Sequence, residues 1–313
     1  MSEIKFAVVL SIGPGEAEIP RAQDLIESLN RYEPRAVQAL IVIEDAVPSR
    51  DLSHALPPLK GGETIILPNP RQGRGDGIQG GLSSGILTGF SCAATLTNVD
   101  FAIKLDTDSL VIAPFADRIQ DSFLRHPEIA MWGCFRKSPV RVHDLPEDFP
   151  TAPALRKHLR VFTLWRLLES PWLRLQCILR RRDRIRRELI LKSLKNGLIL
   201  GQHCQGGGYA IRQEMLQTLH QQGAFSDLLL WNETSCSEDV VMTLTVAAFG
   251  GQPGDLNDDG DPFGVVYRGL ADAPQRLVER GFGIIHSVKD FESFEEKAIR
   301  AFFRQRRQAT DAT

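Results

Sequence analysis

The sequence predicts an α/β protein built on a Rossmann-like, mostly parallel sheet flanked by helices. Three observations support this. Short apolar runs recur at residues 6–12, 39–43, 64–67 and 101–105, each the length of a buried strand. Stretches with helical spacing lie between them, an alternation that favours parallel strands. Acidic or glycine-rich segments follow the runs, where open α/β sheets bind ligands at the strands' carboxyl ends.

The elements follow in order. The 6–12 strand ends at the turn Gly13-Pro14-Gly15. Pro20 opens a helix whose Leu25, Ile26 and Leu29 share a face. The 39–43 strand ends in Glu44-Asp45. The 64–67 strand leads into a basic glycine-rich stretch from Arg71 to Gly77, then a helix over 78–94. The 101–105 strand ends in Asp106-Thr107-Asp108, and a helix over 115–125 and a strand over 130–135 follow. Later come Gly206-Gly207-Gly208-Tyr209, a helix from Gln213, and a helix opened by Ser237-Glu238-Asp239. Strands are expected at 264–267 and at 282–285, the latter ending in His286, and Pro274 opens a short helix between them. A final helix over 290–307 carries Phe291, Phe294, Phe302 and Phe303 on its apolar side. This divides the chain into a nucleotide-binding half at 1–139, a basic helical insertion at 140–195 and an acceptor-binding half at 196–313.

Composition narrows the function. The 313 residues carry a net charge of -2, which excludes a globally basic nucleic-acid binder. The charge is uneven: residues 156–195 hold thirteen Lys and Arg against three acids. Helical spacing and Trp165 and Trp172 in that segment suit either a solvated insertion or peripheral contact with an anionic membrane. A nucleic-acid partner is disfavoured, because no aromatic-interleaved RNA-binding signature is present. The five cysteines form no CxxC pair, which points to reduced thiols in a cytoplasmic setting. No signal peptide or membrane span is expected, so the localisation expected is cytoplasmic, with peripheral contact at the inner membrane face.

Asp106 and Asp108 are the most informative residues. Two carboxylates one residue apart at a strand end repel unless a cation sits between them. Oxygen ligands on a rigid strand end suit Mg²⁺ or Mn²⁺. The acidic loop from Asp255 to Asp261 resembles half of a calcium loop, but Val266 stands where the bidentate acid belongs, so a solvated loop near the acceptor mouth is expected. His203 and Cys204 lack partners at ligand spacing and read as structural.

Five short motifs occur in a meaningful order: residues 41–45 ending in Glu44-Asp45, the DxD at 106–108, Gly206-Gly207-Gly208-Tyr209, Glu238-Asp239, and Ile285-His286-Ser287. Together they resemble a GT-A glycosyltransferase, most closely the inverting family-two and β-1,3-type enzymes. The resemblance implies metal-dependent transfer of a sugar from a nucleoside diphosphate sugar, a UDP-sugar being favoured, to a hydroxyl of a saccharide or lipid-linked acceptor. It implies that Asp108 binds the metal, that Asp106 reaches the ribose or a metal-bound water, and that His286 completes the metal site. Glu44 and Asp45 would accept hydrogen bonds from the base, and Arg74 and Lys289 would contact the diphosphate. Gly207, Gly208, Tyr209 and Glu238 would face the acceptor, and Asp239 would be the general base. An aspartate in a helix's first turn is favoured as the anion, which serves a base whose proton transfer comes late.

Other classes stay open at this point. A nucleotidyltransferase of similar architecture could use Arg71 to Gly77 as a phosphate loop but has no evident need of Asp239 or His286. A haloacid-dehalogenase-type phosphatase expects its DxD close to the chain start. A non-catalytic sugar-nucleotide or membrane-binding module would not need the full carboxylate set.

Overall fold

The computed structural model describes residues 3–75, 79–135, 152–159 and 181–309. Trp165 and Trp172, and with them most of the basic segment, lie outside the described residues.

Seven strands form one sheet in the order β3-β2-β1-β4-β7-β6-β8. These are β1 (Phe6–Ile12), β2 (Val37–Glu44), β3 (Glu63–Pro68), β4 (Phe101–Asp106), β6 (Ile129–Gly133), β7 (Gly208–Arg212) and β8 (Gln252–Asp255). All neighbouring pairs are parallel except those made by β7, which runs antiparallel between β4 and β6. The fold is therefore mixed α/β with a mostly parallel sheet, as the apolar runs predict. A smaller sheet joins β5 (Leu110–Val111), β10 (Ile284–His286) and β9 (Phe263–Val265).

Alternation along the strands divides the core between two faces. Ala7 and Val9 of β1 point to one side, with Ile41, Phe90, Ile211, Trp231 and Val241. Phe6, Val8 and Leu10 point to the other, with Leu25, Leu29, Phe101, Phe115 and Phe123. The first face is covered by α2 (Gly80–Ala93), α4 (Ala152–Leu159), α5 (Arg181–Lys195), α6 (Gln213–Gln221) and α7 (Glu238–Ala248), and the second by α1 (Glu18–Tyr32) and α3 (Ala116–Arg125). Each fully buried Leu, Ile or Phe contributes roughly 1.5–3 kcal/mol of transfer free energy. A third cluster packs Leu110, Phe282 and Ile285 against Leu277 of α8 (Pro274–Glu279) and Ile299 and Phe303 of α9 (Glu296–Ala309).

The final helix starts later than its aromatic spacing predicts. Phe291 and Phe294 pair with each other through backbone hydrogen bonds of 3.0 and 2.9 Å, and Asp290 accepts the Glu296 N–H at 2.8 Å. The helix therefore begins at Glu296. The strand expected at 264–267 ends at Val265, where its ladder with β10 closes on the hydrogen bond from the Val266 N–H to the His286 carbonyl at 3.0 Å. β8 had no apolar signature to reveal it: its sequence is Gln-Pro-Gly-Asp.

The basic insertion is fastened to the body at its carboxyl end. Arg182 forks onto Asp227 at 2.7 and 2.9 Å, and the buried Arg186 donates to the Leu230 carbonyl at 2.6 Å. Part of its charge thus serves internal docking. No described helix is long and apolar enough to cross a membrane.

Candidate functional site

The sheet's register brings distant motifs to one edge. Along the parallel strands Ile12 lies opposite Glu44 and Ser11 opposite Asp106, so their carboxyl ends are level. Because β7 is antiparallel, its start meets the same edge: Gly208 pairs with Leu105. The glycine motif of β7 therefore arrives beside the aspartates of β4.

The small sheet adds the histidine. The Val288 N–H donates to the Asp108 carbonyl at 2.8 Å, which locks the chain after β10 onto the DxD turn. Asp106, Asp108 and His286 then offer ligand atoms within 4.8 Å of one another. Among the described residues this is the one such group of three or more His, Cys, Asp or Glu side chains. His286 Nε2 lies 3.3 Å from Asp108 Oδ2 and 3.7 Å from Asp106 Oδ2. Its other nitrogen, Nδ1, is 2.8 Å from the Val266 carbonyl and must carry the hydrogen it donates there. That leaves Nε2 as the ligand atom. Ser287 donates to Asp108 Oδ2 at 2.5 Å, and Lys289 Nζ lies 3.0 Å from the same oxygen.

The electrostatics match. Burial raises the Asp108 carboxyl, but His286, Lys289 and the Ser287 hydroxyl outweigh it and hold the group well below the usual carboxylate range. Burial pulls the His286 imidazole down, and Asp108 and Asp106 more than offset that, so it stands above the ordinary histidine value. Two carboxylates and one imidazole nitrogen, each oriented by a further hydrogen bond, fit a divalent ion such as Mn²⁺.

Behind the triad lies a charged network that local sequence reasoning missed. Lys104 is fully buried within β4, and its Nζ meets Asp106 Oδ1 at 2.8 Å, Glu238 Oε1 at 2.7 Å and the Gly206 carbonyl. A lysine inside an otherwise apolar strand was the available signal, since such residues are rarely buried unpaired. Burial lowers the Lys104 ammonium, but Asp106 and Glu238 together push it above the usual lysine value. Burial drives the Glu238 carboxyl up to about 7, against the pull of Lys104. Lys104 stays charged throughout, because Asp106 still holds it when Glu238 takes a proton.

This network takes up residues expected to face the acceptor. Glu238 is buried, giving one oxygen to Lys104 and accepting the Tyr209 hydroxyl on the other at 2.7 Å. Tyr209 is fully buried, and Gly208 packs against Leu105 and Phe263. None of these side chains faces an open site. Gly207 has a different reason to be glycine: a Cβ there would lie 2.2 Å from His286 Cγ. The close approach it permits is that of the imidazole.

The nucleotide-side residues divide as well. Asp45 is buried and bound through both oxygens by the Arg71 guanidinium, Nε to Oδ1 at 2.6 Å and NH2 to Oδ2 at 2.5 Å, which withdraws it from a base. Glu44 Oε1 accepts from the Ala46 N–H at 2.7 Å and from Arg50 at 3.0 Å, while Oε2 is buried without a hydrogen-bond partner among the described residues. Arg74 is exposed, and its Nε donates to the Arg71 carbonyl at 3.1 Å. Among the described residues no hydrogen bond joins it to the triad. The acidic loop closes on itself and on Arg280, which meets Asp259 at 2.7 Å.

Asp239 opens α7 beside the glycine motif. Its Oδ1 accepts the Ser237 hydroxyl and the Val240 N–H, the latter at 2.8 Å. Oδ2 is left facing His203, whose Nε2 is 3.6 Å away. His203 thus has a partner that its sequence spacing could not reveal. One short loop, 203–207, touches Asp239 through His203, Glu238 beside Gly206, and His286 beside Gly207. No protein-family model matches this chain, and no curated protein does.

Proposed function

We propose that the chain is a divalent-metal-dependent glycosyltransferase that moves a sugar from a nucleoside diphosphate sugar to an acceptor hydroxyl. The observation that supports this best is the Asp106-Asp108-His286 group with Lys289 against it, at the carboxyl edge of a mostly parallel sheet. Asp106, Asp108 and His286 would hold the ion, which when bound supplies positive charge against the departing diphosphate. Lys289 is half exposed and paired with Asp108. With Asp108 given over to the ion, the Lys289 ammonium would donate to the diphosphate. Glu44, at the end of β2, keeps one carboxylate oxygen unpartnered on the nucleotide side. Asp239 Oδ2 is the base that accepts the proton of the attacking hydroxyl, and inversion follows from attack opposite the leaving group.

The reading is tested by isothermal calorimetry with UDP, GDP and CDP, each with and without Mn²⁺. Binding of one diphosphate should need the metal, and Asp108→Ala should abolish the metal-dependent part while the protein stays folded. Equal affinity with and without Mn²⁺ for all three would overturn it.

A further inference from the structure

We infer that His203 is a positioning residue that works through Asp239, facing the carboxylate's free oxygen and receiving its proton during transfer. The inference rests on the transfer reading given above. Its own evidence is the arrangement of four hydrogen-bonding atoms. Asp239 Oδ1 is occupied by the Ser237 hydroxyl and the Val240 N–H, so proton uptake falls to Oδ2. His203 Nδ1 is 2.8 Å from the Gly201 carbonyl, which has no hydrogen to give, so Nδ1 carries one. The neutral ring therefore presents its lone pair on Nε2, the atom 3.6 Å from Asp239 Oδ2. A bare carboxylate facing a bare nitrogen is a pair built to share one proton. Both side chains are largely withdrawn from solvent.

The chemistry explains why a helix-opening aspartate would need such a partner. The dipole favours the carboxylate as an anion, which makes it a poor place to leave a proton. A free imidazole outcompetes a free carboxylate for a proton by roughly a few hundred-fold. In the step, the acceptor's O–H bond breaks as its oxygen forms the new glycosidic bond, and the diphosphate leaves with the electron pair of the old one. The released proton bonds to Asp239 Oδ2 and passes to His203 Nε2. What remains is an imidazolium donating from Nδ1 to Gly201 and from Nε2 to the regenerated Asp239 carboxylate. That ion pair then loses its proton to water.

The groups facing the ring are Asp239 from α7 and the Gly201 carbonyl from its own loop, with the buried Cys204 next in sequence, its thiol raised by burial. Two measurements on the full chain test the inference. The first needs no ligand: ¹⁵N spectra of the imidazole side chains follow His203 through a pH titration. The wild type should show the Nδ1–H tautomer, and Asp239→Asn should move the His203 Nε2 resonance while leaving the protein folded. An unmoved resonance in Asp239→Asn overturns the pairing. The second measures Mn²⁺-dependent UDP release from UDP-glucose, UDP-galactose and UDP-N-acetylglucosamine. His203→Gln replaces the basic Nε2 with an amide that cannot take up the proton. It should lower kcat about 10- to 100-fold with the donor KM within twofold. The double variant with Asp239→Asn should be no slower than Asp239→Asn alone, because groups acting as a unit do not add. Full kcat in His203→Gln, or losses that multiply in the double variant, would overturn the relay alone. A wild type that binds none of UDP, GDP and CDP in a Mn²⁺-dependent way overturns the transfer reading and the relay with it, whatever the titration shows.

Discussion

Lys104 and Glu238 form a fully buried ion pair, Nζ to Oε1 at 2.7 Å, that ties the central strand β4 to the start of α7. It joins the two sides of the site, because Lys104 also holds Asp106 and Glu238 precedes Asp239 in the helix. Removing one partner strands the other. Lys104→Met should destabilise the protein by about 3–5 kcal/mol, the typical cost of an uncompensated buried charge. The double change Lys104→Met with Glu238→Leu should recover part of this, and urea unfolding of the three proteins checks it.

Gly207→Ala is expected to damage the metal site more than the fold. The added Cβ would overlap the His286 ring, with Nδ1 at 2.3 Å, so the imidazole must move. Overpacking should cost about 1–3 kcal/mol of stability. Mn²⁺ affinity should fall at least tenfold, the usual effect of disturbing a ligand's support. Calorimetric metal titration reads this directly, and unchanged affinity would refute it.

The metal-free protein should have an unusual pH profile. Asp108 stands below its unfolded value, so its contribution is present above about pH 4 and is lost as pH falls through its folded value. His286 stands above its unfolded value, so its contribution is full below about pH 6.5 and is lost as pH rises through its folded value. The pair therefore contributes most between about pH 4 and 6.5. Thermal unfolding of wild type against His286→Asn should show the difference shrinking above that window. Mn²⁺ requires the neutral imidazole, so its affinity should rise by up to about tenfold per pH unit over the same alkaline range.

Arg71→Lys should loosen the loop that follows β3. The guanidinium meets Asp45 through two nitrogens and reaches the carbonyls of Arg74 and Gly75 at 3.2 and 3.3 Å. An ammonium cannot reproduce that fork. A loss of roughly 2 kcal/mol follows from leaving one buried acceptor unpaired. A shift in the urea midpoint without a change in slope is the expected signature.

Much of the fold was legible because parallel strands buried on both faces read as continuous apolar runs. β1, β2 and β4 are such runs, and Asp106, Asp108 and His286 follow or end strands. The rest depends on pairings that no local window contains. Asp45 was read as a base contact because Arg71, which binds both its oxygens, comes from the loop after the next strand. Tyr209 and Glu238 carry no local sign of their burial, because Lys104, which anchors Glu238, lies far off in β4. His203 has no ligand at close spacing, and Asp239 lies beyond a strand, a helix and the loops around them. β8 was invisible because its register on β6, not its side chains, makes it a strand.

The DxD turn is also braced from the far end of the chain. Glu18 accepts the Thr107 hydroxyl, and Arg21 bridges Glu18 to Glu296 of α9. Arg300, one turn on, holds Glu296 at 2.8 Å and reaches the Thr107 carbonyl at 3.4 Å. On the ribosome this ordering has a consequence. The parallel strands β1 to β4 emerge early and can collapse together, but the turn carrying both aspartates gains its brace only after residues 296–300 have left the exit tunnel. Domains begin to fold as they are synthesised. A nascent chain halted before α9 would therefore carry a formed sheet and a DxD turn that still lacks this brace.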